Sequence, residues 1–392
     1  MNQTKKQFLF FFLAFFYWIT LSAQIITGAE QTERYFPLLQ HKKVAVCFNP
    51  TSVINTTHLV DTLKSAHINV VKIFAPEHGF RGEAEAGAAI HSAMDTKTEI
   101  PIVSLYGKNK KPTAEQLKDV DIIVFDMQDV GCRFFTYIST LHYIMEAAAA
   151  QQVPVLIFDR PNPNGHFVDG PVLEEKYKSF VGMHPVPVVH GMTIGEYAQM
   201  INGEKWLENG WVCDLQIIEC KNYTHKTRYS LPVKPSPNLA TDEAIYLYPS
   251  LCLFEGTDIS LGRGTNKPFQ IFGHPNLAIG DYYFTPEPIK GVSENPPQKG
   301  KKCRGFDLTN EAKSSLHGDN SFNITYLITA YNHFPKEMKF FTSPDFFDKL
   351  AGNSTLRWQI INGRTEEEIR ASWQPALEKF KKTRSKYLIY PE

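Results

Sequence analysis

The sequence predicts an α/β protein: a Rossmann-like, parallel-sheet N-terminal domain followed by a smaller α+β C-terminal domain. Three observations predict it. From residue 43 onward, short runs that are apolar throughout alternate with helical patterns, as in parallel strands covered on both faces. After Pro161 the texture changes to long Pro-, Gly- and aromatic-rich stretches. Finally, about 370 residues remain after an N-terminal leader, more than one ordinary core organises. The expected division is a signal peptide over 1–23, the Rossmann-like domain over 24–225 and the α+β domain over 226–392.

The elements follow in order. Lys43 to Phe48 (KVAVCF) reads as a buried strand, and a helix is expected from Thr57, with Leu59, Val60 and Leu63 on one face. Val70 to Phe74, Ile102 to Leu105, Ile122 to Phe125 and Val153 to Phe158 are further strands. A short helix is expected over Ala114 to Leu117. Tyr137, Leu141, Ile144 and Ala148 form a helical stripe over Tyr137 to Ala150. Residues 161–190 read as loop, Thr193 to Trp206 as helix, and Val212 to Ile218 as a strand of the same sheet. Residues 228–305 show little periodicity. Helices return over Tyr326 to Tyr331, Pro344 to Leu350 and from Thr365, where Thr365 and Glu368 have the capping-box spacing.

The first residues point to export. Lys5 and Lys6 precede an almost unbroken apolar run from Phe8 to Leu21, and Leu21-Ser22-Ala23 offers small residues for cleavage. The run is shorter than the roughly 18 residues that span a bilayer. The expected mature protein is periplasmic or secreted, with no membrane anchor once the leader is removed. Lys+Arg and Asp+Glu are equal at 41 each, so nothing calls for a nucleic-acid partner. The six cysteines form no C-x-x-C pair, and Cys213 and Cys220 bracket one predicted strand. Free thiols are therefore expected.

Several familiar chemistries are missing: the sequence has no G-x-G-x-x-G after the first strand, no Walker A loop, no H-E-x-x-H and no G-x-S-x-G. What it has is polar residues directly after strands, where open parallel sheets place their ligand crevice. Asn49-Pro50-Thr51 follows the first strand. Pro76-Glu77-His78-Gly79-Phe80-Arg81-Gly82 follows the second. Asp126-Met127-Gln128-Asp129-Val130-Gly131 and Arg133 follow the fourth, and Asp159-Arg160-Pro161-Asn162 the fifth. One such loop is ordinary surface; four together argue for a site. Among them Glu77, His78 and Asp126 are candidate catalytic groups. Asn49, Arg81, Gln128, Asp129, Arg133, Asp159, Arg160 and Asn162 are candidate substrate ligands. In the second domain Asn238 lies in a polar loop, and Glu255 and Arg263 stand eight residues apart among small residues. Each has a bland alternative: a cap, a loop hydrogen bond or a structural ion pair.

The runs NPTSV, PEHGFRG, FDMQDVGCRFFTYISTL, DRPNPNG, KPSPNL and YPSLCLFEGTDISLGRGT resemble the NamZ-type exo-β-N-acetylmuramidases, a family long catalogued as a conserved domain of unknown function. The resemblance extends over roughly residues 35 to 390. It implies a bacterial cell-wall enzyme that releases N-acetylmuramic acid (MurNAc) from the non-reducing end of MurNAc-β-1,4-GlcNAc fragments, in wall turnover and recycling. It also implies an active site between a Rossmann-like and a smaller domain, and an acid/base glutamate in the PEHG run, here Glu77. Glycosidic cleavage uses a carboxylic acid to protonate the leaving oxygen and a second group at the anomeric carbon. Asp126, Asp129, Glu255 or the substrate's 2-acetamido group are candidates for the second role. The lactyl carboxylate of MurNAc calls for a cation, with Arg81, Arg133, Arg160 and Arg263 as candidates. No cofactor or metal is expected. The main rival is a non-catalytic periplasmic sugar-binding protein. A hydrolase with a metal on Asp126, Asp129 and His78 is a weaker one, since no compact ligand spacing supports it.

Overall fold

The computed structural model describes residues 24–76, 79–81, 93–107, 109–316 and 321–392. The expected leader over 1–23 and the candidates Glu77 and His78 lie outside the described residues. The chain begins with α1 (Thr32–Leu39), β1 (Val44–Phe48), the hairpin β2 (Val53–Ile54) and β3 (Thr57–His58), and α2 (Leu59–Ser65). There follow β4 (Val70–Ala75), β5 (Ala93–Met94), β6 (Pro101–Ser104), α3 (Ala114–Leu117), β7 (Ile122–Asp126), α4 (Tyr137–Gln151), β8 (Val155–Phe158), α5 (Ile194–Gly203) and β9 (Leu215–Ile218).

These strands form one sheet in the order β5-β6-β4-β1-β7-β8-β9. All neighbours are parallel except the short edge strand β5. Counting the parallel strands in chain order gives 3-2-1-4-5-6, the Rossmann arrangement, with its reversal between β1 and β7. The alternation of side chains explains why the strands read as continuously apolar. Val44, Val46 and Phe48 join a core with α1 and α2 on one face. Ala45 and Cys47 join a core on the other face with α3, α4 and α5. Both faces are buried, so no position of β1 is polar.

The second core runs on without a break into the C-terminal half. There α6 (Asp242–Leu251) leads into a 3-10 turn over Cys252–Gly256. Strands β10 (Ile271–His274), β11 (Tyr282–Phe284) and β12 (Cys303–Asp307) form an antiparallel sheet in the order β10-β12-β11. Helices α7 (Thr309–Ser315), α8 (Thr325–Asn332), α9 (Pro344–Ala351), α10 (Thr355–Ile361) and α11 (Glu366–Arg384) complete the chain. Thr365 and Glu368 form the expected capping box of α11. All six cysteines are buried, unpaired thiols. Among the described residues no helix is long and apolar enough to cross a membrane.

Two expectations change. The helix expected from Thr57 starts at Leu59, because Thr57 and His58 pair with Val53 and Ile54 across a turn with Asn55 at φ 53°. His58 then caps the helix, its Nδ1 accepting from the Val60 amide at 3.3 Å. The aperiodic stretch 228–305 holds α6, β10, β11 and the start of β12. β10 and β12 each carry a glycine and cross closely, with Gly273 opposite Gly305, so close packing replaces the alternating pattern that would have marked them.

Candidate active site

The reversal between β1 and β7 opens a crevice at the carboxyl ends of the strands, and polar loops floor it. Asn49 follows β1, fully buried; its Oδ1 accepts from the Thr51 amide at 2.9 Å and from the Thr51 hydroxyl. The Thr51 hydroxyl in turn accepts from the Gln128 amide at 2.9 Å, which ties the β1 loop to the β7 loop. Gln128 donates through Nε2 to the carbonyls of Asp129 and Pro161, adding the β8 loop. Asp129 Oδ2 accepts from the Gly131 amide at 2.6 Å and faces His190 Nε2 at 3.5 Å. Gly131 has φ +78°, and a Cβ there would sit 2.4 Å from Asn162 Oδ1. Asn162 itself donates to the Met192 carbonyl and accepts from the Asn164 amide.

Other predicted residues build this floor rather than face a ligand. Asp126 is fully buried, with both oxygens held by the Arg160 fork. Burial pushes its carboxyl upward, and the Arg160 charge opposes that shift. Arg160 also donates to the Val53 carbonyl and borders a cavity of about 420 Å³ beside Asn55 and Tyr229. Asp159 accepts from the amides of Arg160 and Gly195 and from the hydroxyls of Thr193 and Tyr390. Arg133 is fully buried and donates to the carbonyls of Pro171, Val186 and Leu350, so it clamps loops of both domains. Arg81 forks onto Asp95 at 2.8 Å and reaches Asp61 at 3.1 Å, which fixes the end of the loop leaving β4. Of the four candidate arginines for a substrate carboxylate, these three carry structural contacts.

The fourth pairs with a carboxylate at the edge of a cavity. Arg263 contacts Glu255 through Nε at 3.0 Å and Nη2 at 2.5 Å, and each side chain is about a quarter exposed. Together they border a cavity of about 190 Å³ with Thr136, Tyr137 and Ser236. Its walls are aromatic: Phe135 meets Tyr248 edge-on, Tyr248 meets Phe269 edge-on, and the Arg263 guanidinium lies 4.9 Å above Phe269. A carboxylate and a guanidinium beside aromatic rings suit a pyranose carrying an anionic substituent. Asn238, two residues from Ser236, donates to the Val292 carbonyl and keeps its Oδ1 buried and unpartnered.

Sequence reasoning missed His190, Phe135 and Tyr137. His190 lies in the stretch read as loop, and its proximity to Asp129 follows from a bridge between Cys132 and Val189 that no local pattern encodes.

Similarity to known proteins extends over most of the chain. The family model described as exo-β-N-acetylmuramidase NamZ, N-terminal, matches residues 44–243, and its C-terminal counterpart matches residues 246–390. The peptidoglycan β-N-acetylmuramidase NamZ of Bacillus subtilis (strain 168) is 40% identical over 374 residues, covering 91% of this chain and 89% of that protein. Among solved structures, a DUF1343 family protein of Bacteroides fragilis NCTC 9343 matches with a TM-score of 0.86 and 47% identity, over 94% of this chain and all of that one. A second protein of that family and organism matches at 0.76 and 30%, over 93% and 99%. With both family models matched in order along one continuous two-domain fold, the chain belongs to the NamZ exo-β-N-acetylmuramidase family.

Proposed function

We propose that this chain is an exported glycoside hydrolase that releases MurNAc from the non-reducing end of MurNAc-β-1,4-GlcNAc fragments of peptidoglycan. The observation that carries the reading is the Glu255–Arg263 pair beside a sugar-sized aromatic cavity, in a chain of this family. The basic and apolar residues before Gln24 support export to the periplasm or beyond.

Glu77, two residues beyond the end of β4, supplies the acid that protonates the leaving oxygen, with His78 as its support. Arg263, held by Glu255 through Nε and Nη2, takes the lactyl carboxylate with its remaining donors. Glu255, the described carboxylate that borders the cavity, handles the anomeric carbon from the other side. Asp126 acts through Arg160, holding the β7 and β8 loops at their spacing.

The test is release of MurNAc from MurNAc-GlcNAc and of chromophore from an aryl β-MurNAc glycoside. Wild type turns both over, and Glu77→Gln loses at least about a hundredfold in kcat, the scale of a lost general acid. Tight binding without turnover by wild type would instead establish a sugar-binding protein.

A further inference from the structure

Three buried polar atoms at the reversal point have no hydrogen-bond partner among the described residues: Asn49 Nδ2, Asp129 Oδ1 and His190 Nε2. Buried polar atoms are rarely left unpaired, since each costs the desolvation of a donor or acceptor. Asn49 directly follows β1 and Asp129 lies three residues beyond β7, the two strands that flank the reversal. His190 faces Asp129 at 3.5 Å.

The hydrogen bonds around His190 fix which nitrogen carries its proton. Nδ1 accepts from the Met192 amide at 3.2 Å, so in the neutral ring the proton sits on Nε2, the nitrogen facing Asp129. The Tyr197 ring lies edge-on to the imidazole at 5.0 Å and holds its plane. The Asp129 carboxylate is fixed by the Gly131 amide on Oδ2, leaving Oδ1 open. A fixed donor and a fixed acceptor thus stand side by side, both at most 3% exposed. A hydroxyl satisfies both at once, accepting from Nε2–H and donating to Oδ1.

We propose that Asp129 and His190 bind the free 4-hydroxyl of the terminal sugar and thereby make the enzyme exo-acting; this rests on the function proposed above. In an internal residue of the glycan, O4 is an ether. It has no proton to give Asp129, and the attached sugar would need room beside two side chains that are at most 3% exposed. Charge and closure therefore reject a continued chain, while a chain end completes the pairing.

The experiment compares an aryl β-MurNAc glycoside with its 4-deoxy analogue, in wild type, His190→Gln and Asp129→Asn. Wild type is expected to lose at least about a hundredfold in kcat/KM on the deoxy substrate, because a site built for a hydroxyl strongly rejects the analogue without it. Each variant should lose activity on the parent substrate but little on the deoxy one, so that discrimination falls below about tenfold. Equal turnover of the two glycosides by wild type would overturn the proposal and leave the hydrolase reading standing. So would parallel losses on both substrates in the variants. No turnover of either glycoside by wild type would remove both.

Discussion

The hydroxyl of Tyr390 donates to Asp159 Oδ2 at 2.6 Å, joining the third residue from the C-terminus to the carboxyl end of β8. The Tyr390 hydroxyl oxygen in turn accepts from the Cys220 amide at 2.8 Å. Just before it, the amides of Ile389 and Tyr390 donate to Glu196 Oε1 at the start of α5. The tail of the chain is therefore a strap across the first domain, and it covers the base of the loop that carries Arg160. Tyr390→Phe leaves the Cys220 amide without its acceptor and Asp159 without one donor, both buried. A loss of about 1–3 kcal/mol of stability is expected, read as a lowered urea midpoint with unchanged slope.

Asp159 also gives stability a pH signature. Burial raises its carboxyl from 3.8 to about 6 despite the bonds from Tyr390, Thr193 and Gly195. The folded state then holds the proton more tightly than the unfolded chain. Its contribution is complete below pH 3.8 and is lost as the pH rises through about 6. Burial lowers His58 and His166 to about 4. Their contribution has the opposite sign over an overlapping window, being lost as the pH falls from 6.5 to 4. The measurement is thus a difference: between pH 4 and 6, wild type should lose stability relative to Asp159→Asn. Parallel curves would show that Asp159 titrates at an ordinary value.

Arg263 provides a test of substrate charge. Arg263→Ala removes the fork and leaves Glu255 facing the lactyl carboxylate, so KM for an aryl β-MurNAc glycoside should rise by about ten- to a hundredfold. The corresponding GlcNAc glycoside lacks that carboxylate, and its KM should change little. Arg263→Lys should recover only part of the loss, since an ammonium cannot pair bidentately. An equal effect on both glycosides would mean that Arg263 serves only to hold Glu255.

Much of the first domain was legible because each parallel strand is buried on both faces and so reads as an apolar run, as Val44–Phe48 does. Thr365 announced its helix through a capping box that satisfies local amides; the matching box at Thr193 was not read from the sequence. The site was legible as a set of strand-end loops, but the division of labour within it was not. Whether a buried arginine meets a substrate or three carbonyls depends on partners such as Leu350, 217 residues from Arg133. The same holds for Asp126, whose partner Arg160 was itself read as a ligand. His190 was passed over because its role rests on a contact with Asp129 across two loops, which no spacing in the sequence records.

Gly131 tests whether the floor of the site is as rigid as its bonds imply. Its φ of +78° is one that residues with a Cβ rarely adopt. Its amide holds Asp129 Oδ2, and a Cβ would press within 2.4 Å of Asn162 Oδ1. In Gly131→Ala either the turn rotates, releasing Asp129, or Asn162 gives up its bond to the Met192 carbonyl, two residues from His190. Strain of about 1–3 kcal/mol is expected, together with a fall in kcat/KM larger than any change in unfolding midpoint accounts for at the assay temperature. Asn162→Ala combined with Gly131→Ala removes the clash but not the strained φ. If the double variant regains activity, crowding at Asn162 disturbs the site; if it stays inactive, the turn itself positions Asp129.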